Sequence, residues 1–171
     1  MGFLPVPSRD ELSSDAVIAA NRFQDEHPGP LSALDLALLN NVTVFESYTR
    51  WFDVKEELEP LVGERAVTLF SLALSRAVPA PFPTAFFEGE LRDGGDDPDA
   101  PQVTEAESLL LDWGRAVGAD PSAVPAELSA RVEGTFKPST RAVLAGYAGL
   151  MYAVCVFSLL AGLDPAAPSR G

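Results

Sequence analysis

Two side chains set the limits of the chemistry available to this chain, because each occurs once: Cys155 and His27. A thiol pair for redox turnover needs a second cysteine, and a structural zinc needs several soft or imidazole ligands. With one thiol in 171 residues, neither an intramolecular disulfide nor a cysteine metal site can form. Cys155 lies in an uncharged apolar run, where burial raises a thiol's pKa and leaves it inert. His27 falls in the turn sequence Glu26-His27-Pro28-Gly29-Pro30 and reads as a surface residue. A His-dependent triad and a multi-histidine metal centre are therefore not expected. No metal and no cofactor is predicted.

Other polar candidates are less specific. Arg76 stands near the end of an apolar helix, where a guanidinium can bind a carboxylate or enolate, or cap the helix's terminal carbonyls. Glu88 and Arg92 are four apart, the spacing of an exposed helix pair, although a carboxylate held in an apolar pocket could act as a general acid.

The elements that must position these groups read as helices throughout. Ala and Leu are abundant and no extended β-branched run occurs. A first helix is predicted over residues 8–25, opened by the capping-box spacing Ser8-x-x-Glu11. A second spans 32–40, and a third, capped by Asn41, spans 42–58 before Pro60. On the third, Phe45, Tyr48 and Phe52 form an inward stripe flanked by Val44 and Trp51, with Glu46, Thr49, Arg50 and Asp53 opposite and a Glu46–Arg50 pair expected.

A fourth helix over 63–78 is almost wholly apolar after Arg65 and should be buried on most sides. Pro79, Pro81 and Pro83 enforce an extended turn before a fifth helix that starts at Pro83 or Thr84 and ends at Asp93. Residues 93–101 form a solvent loop. Thr104-x-x-Glu107 caps a sixth helix with the core stripe Leu109, Leu110, Trp113, Ala116 and Val117. A short helix over 126–133 and a last one from Pro138 to about residue 163 complete the chain. The expected fold is all-α, a single-domain bundle of seven to eight helices: residues 1–30 as an N-terminal helical extension, 31–171 as the main helical domain.

Composition narrows the partners. Twenty-five acidic residues against twelve basic ones give a net charge of −13, which repels phosphate backbones and anionic headgroups. No nucleic-acid partner is expected. The last helix lacks any charge from Ala142 to Leu163, long enough to span a bilayer. Its small residues, its Tyr147, Tyr152 and Ser158, and the near absence of flanking basic residues favour a central helix of a soluble domain, so no membrane partner is expected. The opening residues lack the basic and apolar regions of a signal peptide, and a reducing cytoplasm is the expected setting.

Short words along the chain carry a family resemblance: Leu34-Asp35-Leu36-Ala37-Leu38-Leu39-Asn40-Asn41, Phe45-Glu46-Ser47-Tyr48, Trp51-Phe52-Asp53, Gly63-Glu64-Arg65-Ala66-Val67-Thr68-Leu69-Phe70, Thr104-Glu105-Ala106-Glu107, and Ala145-Gly146-Tyr147-Ala148-Gly149. Over about residues 30–163 the chain resembles the carboxymuconolactone decarboxylase and alkylhydroperoxidase D family. The resemblance implies an alkylhydroperoxidase D-like helical fold and a homo-oligomer. It also implies where the family's thiols would stand: Ala80 and Pro83 occupy the Cys-x-x-Cys positions, Phe87 the histidine position, and Thr68 lies near the upstream glutamate position. The redox activity is thereby argued against, as is decarboxylation.

That vacated site is rebuilt from Pro79, Pro81, Phe82, Pro83, Phe86 and Phe87. Such residues either fill the old site or line a cavity for an apolar small-molecule ligand. In the second case Phe82, Phe86, Phe87, Tyr147 and Tyr152 are the expected binding residues, and Arg76, Tyr48 and Thr68 the expected catalytic ones. The function so implied is a cofactor-free, non-redox cyclisation, isomerisation or dehydration. The alternative is an inert oligomeric scaffold, regulatory partner or small-molecule carrier.

Overall fold

In the computed structural model, which describes residues 3–166, side-chain caps open helices where the spacing predicts them. Ser32 with Asp35 opens a six-residue helix, Asn41 Oδ1 accepts the Val44 N–H at 3.1 Å, and Thr104 with Glu107 forms a full capping box. The described residues form eight α-helices and no strand: α1 (Ser14–Glu26), α2 (Ala33–Leu38), α3 (Val42–Val62), α4 (Glu64–Ala77), α5 (Pro81–Asp93), α6 (Glu105–Ala119), α7 (Ala126–Thr135) and α8 (Pro138–Ala161). The chain is an all-α helical bundle.

Boundaries differ from expectation at three points. The Ser8–Glu11 box closes only a 3-10 turn, Arg9–Glu11. Leu12 then turns extended and packs inward, and Ser13 supplies the cap that starts α1. Pro60 does not end α3 but lies inside it. Its missing N–H leaves the Glu56 carbonyl unpaired, yet both residues are exposed and water can satisfy that carbonyl. The helix ends at Gly63, whose φ of 98° suits a residue without a Cβ. In α5 the prolines open the helix rather than precede it: Pro81 and Pro83 sit in the first turn, where no intrahelical N–H is required.

The centre of the fold is α4. Ten consecutive residues, Ala66–Ser75, are buried, and the helix touches α3, α5, α6 and α8. Its buried hydroxyls stay satisfied by bonding back along the helix, Ser71 Oγ to the Val67 carbonyl at 2.8 Å and Ser75 Oγ to the Leu72 carbonyl at 3.0 Å. Against it, α6 packs closely through Gly114 and Gly118, two positions the apolar stripe of the sequence passes over. The last helix also meets α6 and α7, but only one of its faces is buried. It packs on α3, α4 and α5 with one face, and leaves Ala142, Ala145, Gly146, Gly149, Val156 and Leu160 exposed on the other. By length and composition alone α8 could cross a membrane.

One arginine ties the 93–101 loop to the bundle. Arg65 grips Asp96 with two bonds, at 2.7 and 3.0 Å, pairs with Glu107, and donates to the Gln102 carbonyl at 2.9 Å. The Arg65 bond holds the Asp96 carboxyl below its ordinary 3.8. Burial pushes Glu107 up, but bonds from Thr104 and Arg65 outweigh it and leave the group below 4.5. A carboxyl whose pKa falls on folding stabilises the fold above its unfolded value and loses that contribution as pH drops through its folded value. Stability is therefore expected to fall as pH drops below about 5, and to go on falling below the ordinary carboxyl range. An Arg65→Met variant should show a shallower fall, measured as urea midpoint against pH. The Glu46–Arg50 pair does not form: Arg50 reaches Asp53 at 3.0 Å, and Glu46 faces Arg22 at 3.5 Å.

Candidate functional site

The helices do not close completely. Between the α1–α2 turn, α2, α3, α5 and α8 lies a cavity of about 320 Å³, the size of a small-ligand pocket. It sits at the seam between two apolar clusters: one from α1, α2 and the start of α3, the other the main core around α4.

Each wall has a local cause. His27 terminates α1, and Pro28-Gly29-Pro30 carries the chain round, with Gly29 at φ 152° and its carbonyl held by Gln24 Nε2 at 2.6 Å. His27 thereby swings onto the cavity wall, its ring 4.5 Å from that of Phe52 at 30° and 4.9 Å from Phe23. From α3 come Tyr48, Thr49, Trp51 and Phe52, and from the first two turns of α5 come Phe82, Pro83, Phe86 and Phe87. Leu38, Met151 and Val154 line the rest of it with aliphatic surface. Phe86, 51% exposed, is the most open of the aromatic wall residues.

Polar groups in this wall are few. Half-buried Asp35 uses Oδ2 to accept the Ser32 N–H and hydroxyl, both at 2.7 Å, while Oδ1 makes no hydrogen bond among the described residues. Burial pushes its carboxyl pKa up, against the lowering effect of the Ser32 bonds and of nearby His27. The buried indole N–H of Trp51 makes no well-formed hydrogen bond among the described residues, and a polar neighbour is the Tyr147 phenol, whose pKa it lowers.

The structure gathers Tyr48, Phe82, Phe86 and Phe87 at this cavity, and places the other predicted site residues elsewhere. Tyr147 is fully buried, bonded to Ser71 Oγ at 2.8 Å and stacked 5.7 Å from the Trp51 ring. Burial raises its phenol pKa, so it is a sealed core hydroxyl, not a wall residue. Tyr152 is half-buried on α8, outside the cavity lining. Thr68 bonds Glu64 O and Glu90 Oε2, both at 3.4 Å. Arg76 pairs with Glu88 and Asp99, each at 2.7 Å, and donates to the Pro98 carbonyl at 3.0 Å. It neither caps α4 nor reaches the aromatic cavity; it borders a separate hollow beside Asp99 and Arg115. Glu88 cannot serve as a raised-pKa acid, because Arg76 holds its carboxyl below the ordinary value.

Asp35 and His27 are the ionisable wall residues that sequence reasoning did not place at the site, His27 having been read as a surface residue. Ser32-x-x-Asp35 has capping-box spacing, which marks Asp35 as a helix-start residue and says nothing of what its second oxygen faces. His27 looked like a surface turn residue because its nearest ring partner, Phe52, is 25 positions away, although Phe23 lies only four positions before it. Cys155 is fully buried, its thiol pushed up to about 12 by desolvation. Among the described residues no three His, Cys, Asp or Glu side chains gather as a metal would require. No protein-family model, curated protein or solved structure matches this chain.

Proposed function

We propose that this protein binds an apolar small molecule in the aromatic cavity and transforms it without a cofactor or redox step. The observation that carries this reading is the cavity itself: about 320 Å³ of unfilled space walled mainly by rings, at the seam of two apolar clusters. Asp35, His27 and Tyr48 are the groups there that can move or hold a proton. That limits the chemistry to proton-transfer reactions such as isomerisation, cyclisation or dehydration. A carboxyl with a raised pKa and an imidazole on one wall suit an acid–base pair.

Descent from the carboxymuconolactone decarboxylase and alkylhydroperoxidase D family is part of the proposal. In support, Pro83 and Phe87, which stand at the family's second cysteine and histidine positions, both line the cavity. Ligand binding would thus have taken over the space where thiols once reacted.

The test is native mass spectrometry of the purified protein before and after incubation with a small-molecule extract. A bound mass that converts over time in wild type, and persists unconverted in Asp35→Asn or His27→Gln, is the expected result. A ligand recovered unchanged from wild type would make the protein a carrier, and protein-only species in every extract would sink the cavity reading.

A second reading, a homo-oligomer, is favoured by one face of α8. Ala142, Ala145, Gly146, Gly149, Val156 and Leu160 are exposed along it without a charge, and added Cβ atoms on Gly146 and Gly149 would meet nothing within 4 Å. Small residues of this kind let a second copy of the helix approach closely. Light scattering after size exclusion is expected to give at least a dimer for wild type and a monomer for Leu160→Glu. A wild-type monomer would remove the reading.

A further inference from the structure

We propose that the cavity's ligand is an amphiphilic cation, a protonated amine on an aromatic or aliphatic body, with its ammonium against Asp35. This deepens the reading of the cavity as a small-molecule site and rests on it.

Charge on the wall points one way. Among the described residues no lysine or arginine lines the cavity, and Asp35 is its one carboxylate. An anionic ligand such as a fatty acid would meet no fixed cation there, and would have to enter a protein of net charge −13. A cation meets the opposite situation. Oδ2 of Asp35 is occupied by Ser32, but Oδ1 has no partner among the described residues and can accept a charge-assisted bond from an N⁺–H donor.

The rings add a second, independent preference. Tyr48, Trp51, Phe52, Phe86 and Phe87 present aromatic surface around the same space. The negative face of an aromatic ring attracts an ammonium, most strongly where water is excluded. Asp35 itself is short of compensation: it is half-buried, and among the described residues it has hydrogen bonds only from Ser32 and His27 as the one nearby side chain able to carry positive charge. A bound ammonium supplies the missing counter-charge, while the body of the ligand covers Leu38 and Met151.

A matched set of probes separates the terms: 4-phenylbutylamine, 4-phenylbutan-1-ol and 4-phenylbutyrate share one apolar body and differ in head-group charge. Titration calorimetry on the full chain is expected to show the amine binding about ten-fold or more tighter than the alcohol, with the carboxylate weakest. In Asp35→Asn, which keeps an oxygen for the Ser32 N–H, the amine should lose most of its advantage over the alcohol, keeping only the part the rings supply, while the alcohol is unchanged. Asp53→Asn, an exposed carboxylate outside the cavity, should leave the preference intact and so exclude general attraction to an acidic surface. Equal binding of amine and alcohol to wild type overturns the proposal and leaves the cavity reading standing. So does an amine preference that is undiminished in Asp35→Asn or disappears in Asp53→Asn. Failure of all three probes to bind overturns both.

Discussion

Gly118→Ala is expected to lower the unfolding free energy by about 1–3 kcal/mol, although alanine is the better helix former by about 1 kcal/mol. The added Cβ would lie 2.6 Å from the Leu74 carbonyl oxygen, 2.8 Å from Ala77 Cβ and 3.1 Å from Leu74 Cα. Those are backbone atoms and a Cβ, none of which can swing aside. The methyl can be accommodated only by moving α6 off α4, and α4 is buried over ten consecutive residues. Close packing lost along that contact outweighs the gain in propensity. Gly134 on α7 provides the internal control, since its Cβ would meet nothing within 4 Å. Gly134→Ala should therefore stabilise by up to about 1 kcal/mol. Urea midpoints of the two variants should move in opposite directions from wild type. Movement in the same direction would mean that α4 and α6 are not in close contact at Gly118.

Phe87→Ala is expected to cost more, about 3–5 kcal/mol, the range for removing a buried phenylalanine. The ring is 2% exposed, belongs to the main core cluster, and lies 6.5 Å from Trp51 and 5.1 Å from Phe86. Against a typical total of about 5–15 kcal/mol, such a loss is large. Its neighbour provides the contrast. Phe86 lines the same cavity but is 51% exposed, so Phe86→Ala should leave stability within about 1 kcal/mol of wild type. Both substitutions remove wall surface from the cavity. Binding should weaken in both, while the urea midpoint falls sharply only in Phe87→Ala. A ligand that refills the space should raise the Phe87→Ala midpoint, because it binds the folded state alone. Equal urea midpoints for the two variants would show that Phe87 is not the buried support of the wall.

How far the sequence could be read depended on the range of the interaction. The Thr104–Glu107 box and the Asn41 cap are contacts over three residues, and spacing reveals them directly. Ser8-x-x-Glu11 had the same spacing but opened only one 3-10 turn, because Ser13 offered a competing start and Leu12 had a cluster to join. Arg76 was legible as a cation at a helix end, yet its partners Glu88 and Asp99 lie 12 and 23 residues on, and they take up its donors. Tyr147 shows the same effect in the core: a phenol that could have faced a ligand faces Ser71, 76 positions away.

By itself, the sequence determined the helical class, most helix starts, the burial of α4 and the absence of thiol-pair chemistry. Composition, caps and apolar periodicity act within a few residues, and a missing second cysteine is decided by counting. Only the tertiary structure decided where space remains. A cavity is what is left when helices of particular shape cross at particular angles, and aromatic residues that line it are the same residue types that would fill it. His27, Asp35, Tyr48 and Phe86 come from four separate segments and meet only because α1, α2, α3 and α5 converge there. Their chemistry belongs to the packing.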